Sequence, residues 1–273
     1  METDSVKVSW EQSEGITSII DKLKDKELVF GDFGAFSPIY EVTPISDTRD
    51  IHSVRSKMGR NRKGFNVERS VGKLVDVKSF TDGELWLEAE LEYQCKGMQF
   101  YRVNLKLWKE IQRLEVKVIL HKDSVWEPEN LYIAMPFTTG KNEQLFIDKP
   151  GCILKPMVEQ IPGTLTDFYT VQSGFRLQNR DYGLSLGMPD TPILQLGPLE
   201  FGERVLCRDG LEPKQGYQFC RVMNNYWETN FNASLGGFYE FNYDLNLDSK
   251  KPTVAFEELK RSQMQTLALR LKN

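Results

Sequence analysis

Histidine and cysteine are scarce in this sequence. The 273 residues include two histidines, His52 and His121, and four cysteines that lie far apart, with no C-x-x-C pair among them. Zinc ribbons, redox dithiols and histidine-rich metal sites all need more ligands or closer spacing, so these classes are excluded. We therefore predict buried or idle thiols and no metal site within this chain. The cysteines are Cys95, Cys152, Cys207 and Cys220.

Long apolar runs and an excess of basic residues are also missing. No run approaches the roughly 20 apolar residues of a membrane helix, and the N-terminus lacks the charged-then-apolar layout of a signal peptide. A cytoplasmic protein, or a cut fragment, is the expectation. The net charge is -4, whereas phosphate-backbone binding needs a strong basic excess. We therefore predict neither nucleic acid nor a membrane as partner, while a neutral sugar is compatible with this charge.

Recognisable catalytic motifs are absent as well. The sequence contains no nucleophile elbow, phosphate-binding loop or zinc-binding helix. Glycosidases use two carboxylates at a set separation, but the 39 acidic residues offer many pairs and no spacing that selects one. No catalytic residue and no cofactor can be assigned to this chain.

Period-two alternation of apolar and polar residues dominates the middle of the sequence. It runs through residues 85–93, 101–107 and 114–120, which predicts three consecutive antiparallel strands, each with one buried face. One polar row is rich in glutamate and the next two are richer in lysine and arginine, so neighbouring rows should pair and support the register. Trp86 alone interrupts the polar face of the first strand.

The remaining segments favour the same fold class. Residues 131–137 are apolar throughout, which is typical of a strand covered on both faces. Further on, short segments are separated by Gly, Pro, Asn and Asp, the residues of tight turns. One short helix is predicted at residues 254–264, and a last strand at 267–271. We predict a single all-β domain over residues 1–273, with few short helices.

A basic segment at about residues 46–69 lacks strand character. It carries seven basic and three acidic residues, a local excess of +4 (7 minus 3). A loop of this length in a compact domain is usually functional or disordered. Three interpretations stay open: a solvated loop, contact with an acidic partner surface, and an anionic sugar or phosphate site in which Arg60 and Arg62 are the donors.

Two sets of polar and aromatic residues are candidate sugar contacts. Sugars bind through hydrogen bonds to amides and carboxylates, with their C–H faces on aromatic rings. The first set is Asp167, Tyr169 and Gln172. In the second set, Asn225, Trp227 and Thr229 would share one face of a strand. The alternative for both sets is structural: aromatic side chains in the core, and polar side chains in turns.

Three stretches carry a family resemblance. They are GITSIIDKLKDKELV at residues 15–29, residues 159–197, and MNNYWETNFNASLGGFYEFNYDL at residues 223–245. Together they resemble the C-terminal β-domain of family 38 glycoside hydrolases, the α-mannosidase-like enzymes, which shares a galactose-mutarotase-like fold. The resemblance implies a large two-sheet antiparallel super-sandwich with one concave face.

The same resemblance sets the functional expectations. It implies a domain that follows a catalytic barrel, with the nucleophile and the zinc ligands in that barrel and not in this chain. The implied partners are carbohydrate and, for a fragment, the barrel of the same polypeptide. The alternatives are a stand-alone carbohydrate-binding module and a mutarotase-like sugar enzyme, in which His121 would supply acid/base chemistry.

Overall fold

The structure is a computed structural model that describes residues 1–44, 67–197, 199, 206–207, 216–225, 232 and 234–264. Strands dominate the described residues, and one helix follows them. In chain order the elements are β1 (Val6–Glu11), β2 (Gly15–Asp21), β3 (Lys26–Glu27), β4 (Pro38–Val42), β5 (Glu68–Val71), β6 (Lys73–Asp82), β7 (Trp86–Gln94), β8 (Met98–Trp108), β9 (Arg113–Lys122), β10 (Glu129–Met135), β11 (Gln144–Lys149), β12 (Cys152–Leu154), β13 (Phe168–Thr170), β14 (Gly174–Gln178), β15 (Gly183–Gly187), β16 (Ile193–Leu196), β17 (Gln218–Asn225), β18 (Gly237–Asp248) and α1 (Pro252–Gln263).

The strands form two broad sheets and one small one. The larger sheet has nine strands in the order β12-β11-β14-β15-β18-β9-β8-β7-β6, and the second has six in the order β13-β16-β17-β10-β4-β5. Strands β1, β2 and β3 form the small sheet. The strand pairs are antiparallel throughout. The predicted all-β fold with two antiparallel sheets is therefore confirmed.

The three alternating segments are strands β7, β8 and β9 of the nine-stranded sheet, as predicted. They are consecutive neighbours, with Leu91 opposite Val103 and Val103 opposite Val118. These side chains are fully buried, because alternation turns one face of each strand toward the core. Only the ends differ from the prediction: Leu85 is 54% exposed and lies outside β7.

The core lies between the two large sheets, with β10 at the centre of the six-stranded one. All seven residues of β10 are buried, which confirms a strand covered on both faces. One inward contact is ionic: Lys122 of β9 approaches Glu129 of β10 with Nζ 2.7 Å from Oε2, and both side chains are 1% exposed. This ion pair joins the two sheets through the core.

Residues 15–29 contain the hairpin of β2 and β3. The hairpin begins at Gly15, which has a φ of +87°. A Cβ atom there would lie 2.6 Å from the Tyr93 hydroxyl oxygen. Both the left-handed backbone and the close approach require glycine.

The prediction for the basic segment was wrong at its end. Glu68 and Arg69 belong to β5, where Arg69 pairs with Glu41 of β4 in the ladder and also through an ion pair of 2.6 Å. This long-range pairing, and not local propensity, makes the strand. Residues 45–66, with Arg60 and Arg62, lie outside the described part of the chain.

The C-terminal helix is confirmed, although it begins two residues earlier than predicted. Pro252 occupies the first turn, where its missing N–H costs nothing. The predicted last strand at residues 267–271 lies outside the described residues. Within the described parts, no helix is both long and apolar enough to cross a membrane. The four cysteines are free thiols; Cys152 is exposed and the other three are buried.

Candidate functional site

The outward face of β7, β8, β9 and β18 carries aligned polar rows. Because the apolar residues of these strands point into the core, the alternate positions point away from it. One row contains Glu88, Lys106, Glu115 and Asp244. The next row contains Glu90, Asn104, Lys117 and Asn242.

These rows form the floor of a groove with a volume of about 820 Å³. One wall is the turn after β15, where Asp190 Oδ2 accepts hydrogen bonds from the Asn242 backbone N–H at 2.7 Å and from Asn242 Nδ2 at 2.9 Å. Ser262 and Gln263 at the end of α1 also line the groove. Gln263 Nε2 donates to the Ser173 carbonyl oxygen at 2.7 Å, which fixes the helix end against the sheet. The groove is therefore held on several sides.

Arg113 organises the acidic end of the floor. Glu115 and Asp244 lie directly opposite each other in the ladder, and two like charges in such positions repel. Arg113 lies between them, with Nε 2.8 Å from Asp244 Oδ1 and Nη2 3.2 Å from Glu115 Oε1. The arginine thereby keeps two carboxylates close together in one groove.

Two acceptor atoms in the groove are buried without a partner. Asp244 Oδ2 and Asn104 Oδ1 make no hydrogen bond to any described residue, and Asp244 is 93% buried (7% exposed). Buried acceptors in proteins are nearly always satisfied, so these oxygens are suited to donors from a bound molecule. The hydroxyl groups of a sugar are such donors.

A pair of tryptophans lies in the next outward row of β7 and β8, beside the residues that line the groove. Trp86 and Trp108 are opposite each other in the ladder, and their ring centroids are 5.2 Å apart. Lys106 Nζ lies 4.1 Å from the first ring centroid and 4.4 Å from the second. The indole N–H groups donate to carboxylates on the floor, Trp86 to Glu88 at 2.8 Å and Trp108 to Glu115 at 3.1 Å. The rings are thus oriented by the same residues that line the groove.

The first predicted sugar set lies elsewhere, around β13. Asp167 is 5% exposed and Tyr169 is 4% exposed. The Tyr169 hydroxyl donates to Gln160 Oε1 at 2.6 Å, and burial raises its pKa above the ordinary value. Gln172 is exposed, and its backbone N–H donates to the Asp148 carbonyl oxygen at 3.0 Å. A sugar-binding role for these three residues stays a prediction; Asp167 and Tyr169 are buried, whereas Gln172 is exposed.

Only one member of the second predicted set is described. Asn225, at the end of β17, is 4% exposed, and its Nδ2 donates to the carbonyl oxygens of Val125 and Trp126, each at 3.4 Å. Trp227 and Thr229 lie outside the described residues. The predicted tryptophan surface therefore stays a prediction.

One of the two histidines can be placed. His121 of β9 lies on the same outward face as the groove, in a row with Phe100 and Phe238. Its Nδ1 is buried without a partner among the described residues. His52 lies outside them. The described part of the chain contains no group of three or more His, Cys, Asp or Glu side chains that could hold a metal ion.

The groove was not predicted from the sequence. The predicted pairing of the Glu row with a row richer in Lys and Arg is confirmed by the ion pairs of Arg102 with Glu90 at 3.5 Å and with Glu92 at 3.0 Å. The signal for a site was Trp86, an aromatic residue on an otherwise polar face. Its opposite neighbour Trp108 could have been noticed in the same way.

Comparisons with known proteins show a likeness of fold. An α-mannosidase from Enterococcus faecalis V583 matches with a TM-score of 0.59 and 12% identity, over 96% of this chain and 31% of that chain. A family 38 glycosyl hydrolase protein from Enterococcus faecalis matches with a TM-score of 0.62 and 10% identity, over 96% of this chain and 32% of that chain. A galactose mutarotase related enzyme from Lactobacillus acidophilus aligns at a TM-score of 0.43 and 10% identity, over 92% and 97%. No protein-family model and no curated protein matches the chain.

The first two matches define the class of fold. Nearly the whole of this chain has the architecture of a β-sandwich that makes up about a third of each of those two longer chains. The resemblance noted in the sequence is confirmed at the level of fold.

Proposed function

We propose that this chain is the C-terminal β-sandwich domain of a family 38-like glycoside hydrolase and that it binds carbohydrate without cleaving it. The proposal is supported by the likeness of fold over 96% of the chain. Its partners are carbohydrate and, in a longer polypeptide, the catalytic barrel. Zinc belongs to that barrel in this proposal, and this chain binds no cofactor.

The observation that carries the binding role is the composition of the groove. Asp244 Oδ2 and Asn104 Oδ1 are buried acceptors without a hydrogen-bond donor among the described residues. The hydroxyl groups of a sugar supply several donors on one rigid ring. The tryptophan pair beside the groove adds aromatic rings of the kind on which the C–H face of a sugar packs. A row of carboxylates and amides next to an aromatic platform is what a neutral oligosaccharide requires.

Calorimetric titration of the chain with a linear α-linked mannotetraose tests this proposal, with maltotetraose as the comparison sugar. We expect saturable binding that Trp108→Ala weakens about tenfold, equivalent to about 1.4 kcal/mol, since aromatic anchors carry much of the binding energy at such sites. Trp126→Ala is the matched control, because Trp126 is 50% exposed and lies outside strands β7, β8 and β9, whereas Trp108 of β8 donates to Glu115 on the groove floor. Circular dichroism must show that both variants are folded.

Two results contradict the proposal. One is the absence of binding to either sugar by the folded chain. The other is binding that Trp108→Ala and Trp126→Ala affect equally, since the groove would then have no special part in it.

A further inference from the structure

A second cavity, of about 290 Å³, lies between the two sheets at the end of the sandwich that carries β11 and β14. Two cross-strand pairs face it. Leu145 and Leu177 come from the nine-stranded sheet, and Leu196 and Gln218 come from the six-stranded sheet. Three of these four side chains are apolar, and three are at most 4% exposed. These four side chains make the part of the lining between the sheets mostly apolar, and Glu143, Gln144 and Lys155 add polar groups elsewhere in the lining.

A short segment, residues 155–160, closes one side of the cavity. Its Met157 lines the cavity and has a φ of +66°, a left-handed conformation that is costly for a residue with a Cβ. The segment is held in place by Gln160, which accepts hydrogen bonds from the Met157 N–H and from the Tyr169 hydroxyl. Cys207 Sγ donates to the Met157 carbonyl oxygen at 3.7 Å. These contacts preorganise the closing segment, and Tyr169 takes part through its hydrogen bond to Gln160.

Gln218 brings an unsatisfied acceptor to this cavity. Its side chain is 4% exposed, and its Nε2 donates to the Gly216 carbonyl oxygen at 2.8 Å. Its Oε1 is buried and has no hydrogen-bond partner in the described part of the chain. An unmade hydrogen bond in an apolar surrounding is expensive. A donor that enters the cavity would remove this cost.

The two charged residues that line the cavity, Glu143 and Lys155, already interact with other groups of the chain and do not favour a charged ligand. Glu143 lines the rim, but its Oε2 accepts from the Thr138 hydroxyl at 2.9 Å and the Thr139 N–H at 2.7 Å. The other charged lining residue, Lys155, has its Nζ 5.3 Å from the centroid of the Phe146 ring. With both charges engaged, a neutral molecule is favoured.

We propose that this cavity is a binding site for a small, neutral, mostly apolar molecule that carries one hydrogen-bond donor, which Gln218 Oε1 accepts. Well-formed cavities with an apolar lining and a few placed polar groups are the usual small-molecule sites of proteins. The cavity lies between the sheets, whereas the groove lies on the outward face of β7, β8, β9 and β18. The inference therefore does not rest on the proposed carbohydrate function.

The test uses indole and benzothiophene, which have nearly the same shape and differ in the N–H donor. The full chain, labelled at its methionine methyl groups, is titrated with each compound while the Met157 signal is followed. We expect saturable shifts of that signal and about tenfold tighter binding of indole, because only indole satisfies Gln218 Oε1. Gln218→Leu should abolish the difference between the two compounds.

Two further variants control this test. Gln99→Leu changes an exposed glutamine of β8 far from the cavity lining and should leave the indole preference intact. Leu145→Phe fills the mouth of the cavity at a half-buried position and should weaken binding of both compounds at least fivefold, which keeps the proposal testable if Gln218→Leu does not fold. Equal affinity of the folded wild-type chain for both compounds, or no shift of Met157 at saturating indole, overturns the proposal.

Discussion

Removing the ammonium group of Lys122 is predicted to destabilise the sandwich strongly, because its partner would be left as a buried charge. Lys122 Nζ lies 2.7 Å from Glu129 Oε2 and 2.9 Å from the Asp123 carbonyl oxygen. The same carboxylate oxygen accepts from the Tyr40 hydroxyl at 2.6 Å, while Glu129 Oε1 has no partner among the described residues. After Lys122→Met, the Glu129 carboxylate would keep its hydrogen bond from the Tyr40 hydroxyl but would lose the positive charge beside it, while remaining only 1% exposed.

The size of the effect follows from the burial of the pair. Breaking a buried ion pair by removing one partner costs about 3–5 kcal/mol, a large share of the roughly 5–15 kcal/mol by which proteins are stable. Replacing both partners is different, because no charge is then left behind. Lys122→Met combined with Glu129→Met should be more stable than Lys122→Met alone, although Tyr40 loses its acceptor at a cost of about 1–3 kcal/mol.

Urea unfolding followed by circular dichroism gives the free energy of unfolding for the wild type, for Lys122→Met, for Glu129→Met and for the double variant. We expect a double-mutant cycle with a coupling of several kcal/mol. A Lys122→Met variant whose stability is within about 1 kcal/mol of the wild type, the range of an exposed ion pair, would contradict this prediction. A double variant less stable than Lys122→Met would contradict it as well.

Two further predictions concern catalysis and alkaline pH. The isolated chain should not hydrolyse 4-nitrophenyl α-mannoside, with or without added zinc, because the proposal assigns the nucleophile and metal ligands to the barrel; activity that survives repurification from host glycosidases would contradict this. Burial raises the pKa of the Cys220 thiol from 9.0 to about 12 and that of Cys95 likewise to about 12. Between pH 9.0 and about 12 each thiol is ionised in the unfolded chain but keeps its proton in the folded chain. The contribution of the two thiols to the free energy of unfolding is therefore complete below pH 9.0 and is lost as the pH rises toward about 12. Each thiol contributes about 1.4 kcal/mol per pH unit in that window, and Cys220→Ala should make the fall in unfolding free energy measurably shallower; an unchanged slope would show that this thiol is not the titrating group.

The strands of the larger sheet could be predicted because their signal is local. Alternation in β7, β8 and β9 reports one buried face, and neither distant contacts nor turns are needed to detect it. The C-terminal helix was detectable for the same reason. Strand β5 was not, because its four residues become a strand through pairing with β4, and Arg69 meets Glu41 only in the folded chain.

The groove could be predicted only in part. The polar rows of β7, β8 and β9 are visible in the sequence, but the position of β18 beside β9 follows from the strand order and not from spacing. That placement brings Asp244 opposite Glu115 and makes the acidic end of the groove. The sets around Asp167 and Trp227 were selected by residue type alone, and residue type does not distinguish a buried aromatic side chain from an exposed one.

The most direct test of the carbohydrate-binding groove is a titration followed on the indole N–H signals of the five tryptophans. The chain is labelled with ¹⁵N-tryptophan, each signal is assigned with a single Trp→Phe variant, and mannotetraose is added to saturation. The groove predicts that the Trp86 and Trp108 signals shift together with one binding constant, while the Trp126 signal stays in place. A shift confined to Trp227 would place the sugar on the surface predicted from the sequence and contradict the groove, and five unchanged signals would contradict carbohydrate binding by this domain.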